Sequence, residues 1–144
     1  MQLSIKQIRS TDPEFEHCFE IRRTVFVEEQ NVPLEEERDA YDEIARHFLA
    51  TADGVPVGTA RVTLKDDGVT AKISRVAVSK SARGLGIGAG LMRHIENEVS
   101  ARQFMLDAQI QALPFYQLLG YAAFGDEFME AGIPHRHMQK RPKS

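Results

Sequence analysis

The stretch Val76-Ala77-Val78-Ser79-Lys80-Ser81-Ala82-Arg83-Gly84-Leu85-Gly86-Ile87-Gly88-Ala89-Gly90-Leu91 constrains the fold more than any other part of the chain. A β-branched, apolar run ends at Val78, a short polar link carries Arg83, and glycines then alternate with aliphatics. Ile87, Leu91, Ile95 and Val99 recur every fourth residue with Met92 beside them, while Arg93, Glu96, Asn97 and Ser100 face away. The pattern is strand, loop and amphipathic helix in direct succession. Glycines at a helix start let the backbone come close to a ligand, and free N–H groups with the helix dipole favour anions. The stretch reads as a cradle for a phosphate or pyrophosphate.

The elements around it follow in order. Leu3, Ile5 and Ile8 mark a first strand, and Asp12 is placed to cap a helix beginning at Pro13. Phe15, Phe19, Arg22 and Phe26, with Cys18 and Val25, form a helical stripe that runs to about Glu28. Asn31-Val32-Pro33 breaks it, and a second short helix is expected after the break. His47 to Thr51, the turn Asp53-Gly54, Val55 to Leu64, the turn Asp66-Asp67-Gly68 and Val69 to Val78 make a three-strand meander. Gly58 marks a bulge or a point of close backbone approach. After the long helix, Phe104 to Gln109 returns to the sheet as a β-loop-α-β unit. Pro114 and Gly120 frame a short helix, and Tyr121–Phe124 and Ile133–Met138 are expected to pair across the Gly125–Gly132 segment.

At 144 residues the chain has the length of one domain, residues 1–144. A net charge of -3 argues against a broad nucleic-acid or anionic-membrane surface. No apolar run is long enough to span a bilayer, and the N-terminus lacks the layout of a signal peptide, so a cytoplasmic location is expected. Cys18 is the sole cysteine and reads as a buried thiol. The basic tail Lys140–Ser144 reads as a frayed end.

Two nucleotide motifs compete for the glycine loop. A P-loop ends in Gly-Lys-Ser/Thr, and Gly88 is followed by Ala89-Gly90, which removes that reading. Gly84-x-Gly86-x-x-Ala89 has dinucleotide-fingerprint spacing, with Asp107 where a ribose-binding acid belongs. That motif requires its first glycine directly after the strand, and Ser79 to Arg83 intervene.

Arg83-x-x-Gly86-x-Gly88 between a strand and a long amphipathic helix resembles motif A of the GNAT superfamily of acetyl-CoA-dependent N-acetyltransferases. Ala112-x-x-Phe115-Tyr116-x-x-x-Gly120-Tyr121 is similar to the family's second signature, and the order of elements matches over essentially the whole chain. The segments around Val25-Phe26-Val27-x-Glu29-Gln30 and Gly132-Ile133-Pro134-His135 look like the ElaA-like subgroup.

The resemblance implies an α+β fold in α/β/α layers, with a mixed, mostly antiparallel sheet of six to seven strands that splays after Val78. It implies acetyl-CoA as co-substrate, a primary amine of a small molecule or peptide as acceptor, no metal, and a homodimer as the family-level expectation. Val76, Ala77 and Val78 would pair with the pantetheine arm, and the Val78 N–H would polarise the acetyl carbonyl. Arg83, Gly84, Leu85, Gly86, Ile87 and Gly88 would cradle the pyrophosphate. Gln109 stands where the family often has an asparagine touching the cofactor. Tyr116 would sit near the cofactor sulfur and protonate the departing thiolate. A non-catalytic acyl-CoA-binding module is the alternative, and Tyr116 favours the enzyme.

Phe26, Gln30, His47 and Arg75 are the substrate-contact candidates. His47 also reads as a candidate base or as a capped or surface histidine, and Arg61 and Arg75 either line a cleft or face solvent. The acidic run from Glu28 to Glu43 reads as a solvated face, or as a rim that attracts a cationic substrate. Glu28, Glu29 and Glu43 are candidate bases, and the sequence does not single one out. His135 and His137 share a strand face, but no third spaced ligand accompanies them, which leaves no metal site.

Overall fold

A computed structural model describes residues 1–142. Seven strands form one sheet: β1 (Leu3–Ile8), β2 (Arg46–Ala52), β3 (Val55–Lys65), β4 (Thr70–Val78), β5 (Gln103–Gln109), β6 (Ala122–Glu130) and β7 (Ile133–Lys140). Their spatial order is β1-β2-β3-β4-β5-β7-β6, with β4 and β5 parallel and every other pair antiparallel. The helices are α1 (Phe15–Arg22), α2 (Leu34–Glu37), α3 (Ile87–Glu98) and α4 (Leu113–Leu118). Strand alternation sends successive side chains to opposite faces, and each face has its own cover. Phe48, Ala50, Ile73, Phe104 and Leu106 pack against Leu91, Met92 and Ile95 of α3. Leu49 and Ala77 pack on the other face against Phe15, Cys18, Ile21 and Val25 of the first helical segment. The layers are α/β/α, as expected, and Cys18 is fully buried. Among the described residues no helix is long and apolar enough to cross a membrane.

Gly58 serves both expected purposes. The β2–β3 register shifts beside it, and a Cβ at Gly58 would stand 2.9 Å from Ile87 Cγ2, so α3 rests directly on the glycine backbone. Asp53 and Gly54 turn the first hairpin with φ of 50° and 84°.

The structure corrects four boundaries and the facing of one side chain. Asp12 spends its carboxylate on the Arg9 N–H, and α1 begins at Phe15 without a side-chain cap. After Arg22 the helix widens into a π-helical turn over Arg23–Glu29, a form that concentrates at functional sites. Glu96 does not face away into water, because Tyr121 Oη and Lys140 Nζ donate to its carboxylate at 2.9 and 2.7 Å. Lys140 therefore ends β7 in a partly buried ion pair instead of fraying, while Lys143 and Ser144 lie outside the described residues. The Gly125–Gly132 connection is itself largely strand: β6 runs to Glu130 and only Ala131-Gly132 turns the chain, at φ of 51° and 76°. A register shift between Phe124 and Phe128 absorbs Gly125, Asp126 and Glu127.

Candidate active site

The site begins as a defect in β4. Ile73 belongs to the α3 face, yet Ala77, four residues on, packs on the α1 face. An even spacing cannot do that in a regular strand. The β3–β4 register slips between Thr59/Ala77 and Arg61/Ser74, and Arg75 sits there with φ 53°, a left-handed conformation rare for a non-glycine residue. This one-residue bulge reverses the facing of everything after it.

The same region parts from β5. The two parallel strands pair from Thr70/Gln103 to Ile73/Leu106 and no further. The sheet thus splays after Ile73, five residues earlier than expected. Ser79 N–H donates to Val57 O at 2.8 Å. Antiparallel alternation then turns the N–H and C=O of Val78 away from β3, toward the open edge. The Val78 carbonyl accepts from Arg83 Nε at 3.1 Å.

A cavity of about 190 Å³ occupies the gap. Val76, Leu106, Ala112 and Tyr116 line it from the α3 side, and Phe26, Gln30, Arg75 and Gln109 from the α1 side. A larger cavity of about 480 Å³ lies on the α1 side and shares Phe26, Gln30, Ser74, Arg75, Asp107 and Gln109 with the first. The gap therefore joins the two faces of the sheet. Gln109 donates to Gln30 Oε1 at 2.8 Å across it.

Tyr116 is held by α4, which Pro114 starts and Gly120, at φ 97°, stops. Its ring meets those of Phe115 and Tyr121 edge-on at 4.9 and 6.1 Å. The residue is 9% exposed, and burial pushes its phenol up to about 12, so it keeps its proton at neutral pH. No side chain or carbonyl of the described residues takes its hydroxyl hydrogen.

Beyond Val78, a short 3₁₀ turn leads to Gly84 and Gly86, both in the left-handed region at φ 83° and 80°. Gly86 caps α3, whose first intrahelical bond reaches from Gly90 N–H to Gly86 O. The N–H groups of Ile87, Gly88 and Ala89 have no partner within the helix. A Cβ at Gly88 would press on the Phe115 ring at 3.2 Å. The Ile87 side chain is core, 1% exposed, so only its backbone faces the loop. Leu85 is exposed, and Arg83 gives Nη2 to Glu29 Oε1 at 2.7 Å across the surface.

The structure does not bring His47 to this place. It is 1% exposed between sheet and α1, edge-on to Phe15 at 4.7 Å. Its Nε2 donates to Asp42 O at 2.9 Å, and burial pushes its pKa below the usual histidine value. The acidic run is neither a solvated face nor a free rim throughout. Glu37 and Asp42 are 1% and 3% exposed and collapse onto arginines. Arg22 binds Glu37 at 2.6 Å and Asp42 at 2.7 Å, and Arg61 binds Asp39 at 2.6 Å and Asp42 at 3.0 Å. Arg22 beside Asp42 overcomes burial and holds that carboxyl at about 2. Arg61 and Arg75 both line the larger cavity. Sequence reasoning missed this cluster, though its signal was present: an arginine on the apolar stripe of α1 demands a buried counter-ion. His135 and His137 do share a face, stacked on Phe128 at 5.8 and 4.4 Å, and His137 binds Asp107 at 2.6 Å. No group of three metal-ligating residues occurs among the described residues.

A splayed mixed sheet with a glycine-rich helix start at the tip of the splayed strand defines the class of acyl-CoA-type N-acyltransferases. A family model described as "Acetyltransferase (GNAT) domain" matches residues 11–142, and the chain belongs to that family. The N-acetyltransferase YjcF of Bacillus subtilis (strain 168), itself uncharacterised, is 39% identical over 92% of this chain and 96% of its own. The crystal structure of Escherichia coli ElaA superposes with a TM-score of 0.81 at 26% identity, covering 97% of this chain and 100% of that one. An acyl-CoA N-acyltransferase from Pseudomonas aeruginosa superposes with a TM-score of 0.82 at 27% identity, covering 96% and 99%.

Proposed function

We propose that the protein transfers the acetyl group of acetyl-CoA to a primary amine by direct attack in a ternary complex. The observation that carries this reading is the through-sheet gap, with a glycine cradle on one face and a polar cavity on the other. Two reactants can then enter from opposite sides and meet beside Val76–Val78 and Tyr116.

The residues present fit the coenzyme. The unspent amides of Ile87, Gly88 and Ala89, the left-handed Gly84 and Gly86, and Arg83 suit a pyrophosphate. The open edge of Val76–Val78 suits an extended amide-bearing arm. Bound there, acetyl-CoA supplies an acyl group activated as a thioester. The Val78 N–H is a fixed donor where negative charge gathers on the carbonyl oxygen during attack. As the C–N bond to the neutral amine forms and the C–S bond breaks, Tyr116, kept protonated by its burial, gives its proton to the leaving sulfur, and the proton shed by the attacking nitrogen returns through water to restore the phenol. Phe26, Gln30 and Arg75 line the acceptor's approach and Gln109 the coenzyme's side of the gap, and holding both reactants in line supplies much of the rate.

Calorimetry with acetyl-CoA should show binding that Arg83→Glu weakens, and no binding at all overturns the reading. Thiol release against a panel of amines should fall by about 10²-fold in Tyr116→Phe. An unchanged rate removes Tyr116 as the acid, and binding without turnover of any amine leaves only a binding module.

A further inference from the structure

Neighbouring residues of a regular strand point to opposite faces, yet Ser74 and Arg75 both line the larger cavity. The bulge explains it. Ser74 faces the cavity by the alternation that precedes the slip, and Arg75, the extra residue at φ 53°, is turned to the same side. The strained backbone at Arg75 thus adds a third polar side chain of β4 to the wall that Lys72 and Ser74 already line.

Open hydrogen-bond valences show what the wall lacks. Arg75 spends Nε and Nη2 on the carbonyls of Glu36 and Glu37 and on Asp39 Oδ2, at 2.9 to 3.3 Å. Arg61 is 5% exposed and spends Nε on Ser74 Oγ at 3.0 Å and Nη1 on Asp39 and Asp42. Arg75 Nη1 and Arg61 Nη2 have no acceptor among the described residues, and neither is sealed from solvent. Ser74 Oγ accepts from Arg61 and so keeps its own hydrogen to donate.

Asp39 and Asp107 of the wall are spent. Both oxygens of Asp39 accept, from Arg61 and Arg75, and both of Asp107 accept, from His137 and Lys72. Glu37 Oε2 lacks a partner but is buried out of reach. Glu36 and Glu130 keep open oxygens at exposed positions, where water screens them. A count of residues makes the cavity acidic, but a count of open valences makes it a donor surface.

We propose that the acceptor amine carries a carboxylate, bound in the larger cavity by Arg61, Arg75 and Ser74. One open terminal nitrogen from each guanidinium, with a hydroxyl, gives a carboxylate charge-assisted, multi-point contact. Burial and the neighbouring charges of Arg61 and Arg22 lower the Arg75 pKa, a repulsion that a bound anion relieves. The proposal rests on the acetyl-transfer reading and names the class of its acceptor.

The test pairs each α-amino acid and β-alanine with its own carboxamide as acceptor in thiol release. The carboxylate member should have kcat/KM about tenfold or more above the amide, and Ser74→Ala and Arg75→Gln should shrink that ratio mainly through KM. A second arm needs no turnover: with coenzyme A present, succinate should raise the melting temperature and succinamide should not. Equal or absent rates for both members of every pair, together with no succinate effect, overturn the carboxylate site. Amide-capped or simple alkyl amines acetylated as well as the acids do so too, while leaving acetyl transfer itself standing. Loss of acetyl-CoA binding would instead strike the underlying reading.

Discussion

The face of the sheet under α3 and the face under α1 and α2 are closed by opposite chemistry. Under α3, Leu91, Met92, Ile95 and Phe104 are fully buried against one another, with no ion pair among them. Under α1 and α2, an apolar patch around Phe15 gives way to Arg22, Glu37, Asp42 and Arg61, all nine-tenths buried or more. The two buried side-chain atoms without a partner among the described residues, Glu37 Oε2 and His47 Nδ1, belong to this second face. Paired charges repay little of their desolvation in stability. What they add here is direction. Residues 30–45 contain one turn of α-helix and no apolar stripe, so packing alone could not fix them. Three arginines from α1, β3 and β4 draw their acids and carbonyls onto the sheet, which shapes the cavity beside the bulge.

If the ionic face is held by exact charge matching, removing one charge should cost more than removing apolar volume across the sheet. Arg22→Met strands Glu37 and Asp42 in the interior and should lower unfolding free energy by about 3–5 kcal/mol. Leu91→Ala should cost roughly 3 kcal/mol as a cavity under α3. Urea titrations of the two variants decide the order. A loss below about 1 kcal/mol for Arg22→Met would show that water reaches the cluster and that the contrast between faces is not energetic.

Acid should open the ionic face and spare the apolar one. His47 has a folded pKa below its unfolded 6.5, because burial penalises the imidazolium. Its contribution is therefore complete above pH 6.5 and declines as pH falls from there. Asp42, at about 2 against 3.8 unfolded, contributes roughly 2 kcal/mol that is present above pH 3.8 and lost as pH falls toward 2. Stability followed by urea unfolding from pH 8 to 2 should drop in two stages, the first abolished by His47→Asn. A flat profile from pH 7 to 4.5 in the unaltered protein would contradict the assignment of His47.

The α3 face was legible in the sequence and the ionic face was not, for a physical reason. Ile87, Leu91, Ile95 and Val99 repeat at the helical period, and the period itself states which side is inside. The glycine loop and the Pro114–Gly120 frame were legible for the same local reason, since each carries its backbone requirement in its residue types. Glu37 and Asp42 look identical in sequence to solvated acids, and only partners 15 and 20 residues away on α1 distinguish them. His47 was placed at a strand start correctly, but which face of β2 it takes depends on a register that Ala50, Thr51 and the Val57 bulge settle. The bulge at Arg75 has no glycine to announce it. Its cause is tertiary, the Glu36 and Glu37 carbonyls that receive the guanidinium.

One contact ties the two faces together, and it should matter least for stability. Arg83 Nη2 meets Glu29 Oε1 at 2.7 Å, joining the end of the π-helical turn to the glycine loop, with side chains 44% and 28% exposed. Such pairs contribute at most about 0.5–1 kcal/mol and weaken with salt. Glu29→Gln should therefore leave urea unfolding nearly unchanged. Its effect on ligand is informative in sign. If Glu29 merely competes for Arg83, the variant should bind acetyl-CoA about two- to fivefold tighter in calorimetry at low salt, a difference that fades at high ionic strength. A loss of affinity would mean the opposite, that the pair holds the guanidinium in place for the pyrophosphate. The π-helical turn would then be part of the coenzyme side of the gap as well as the wall of the acceptor cavity.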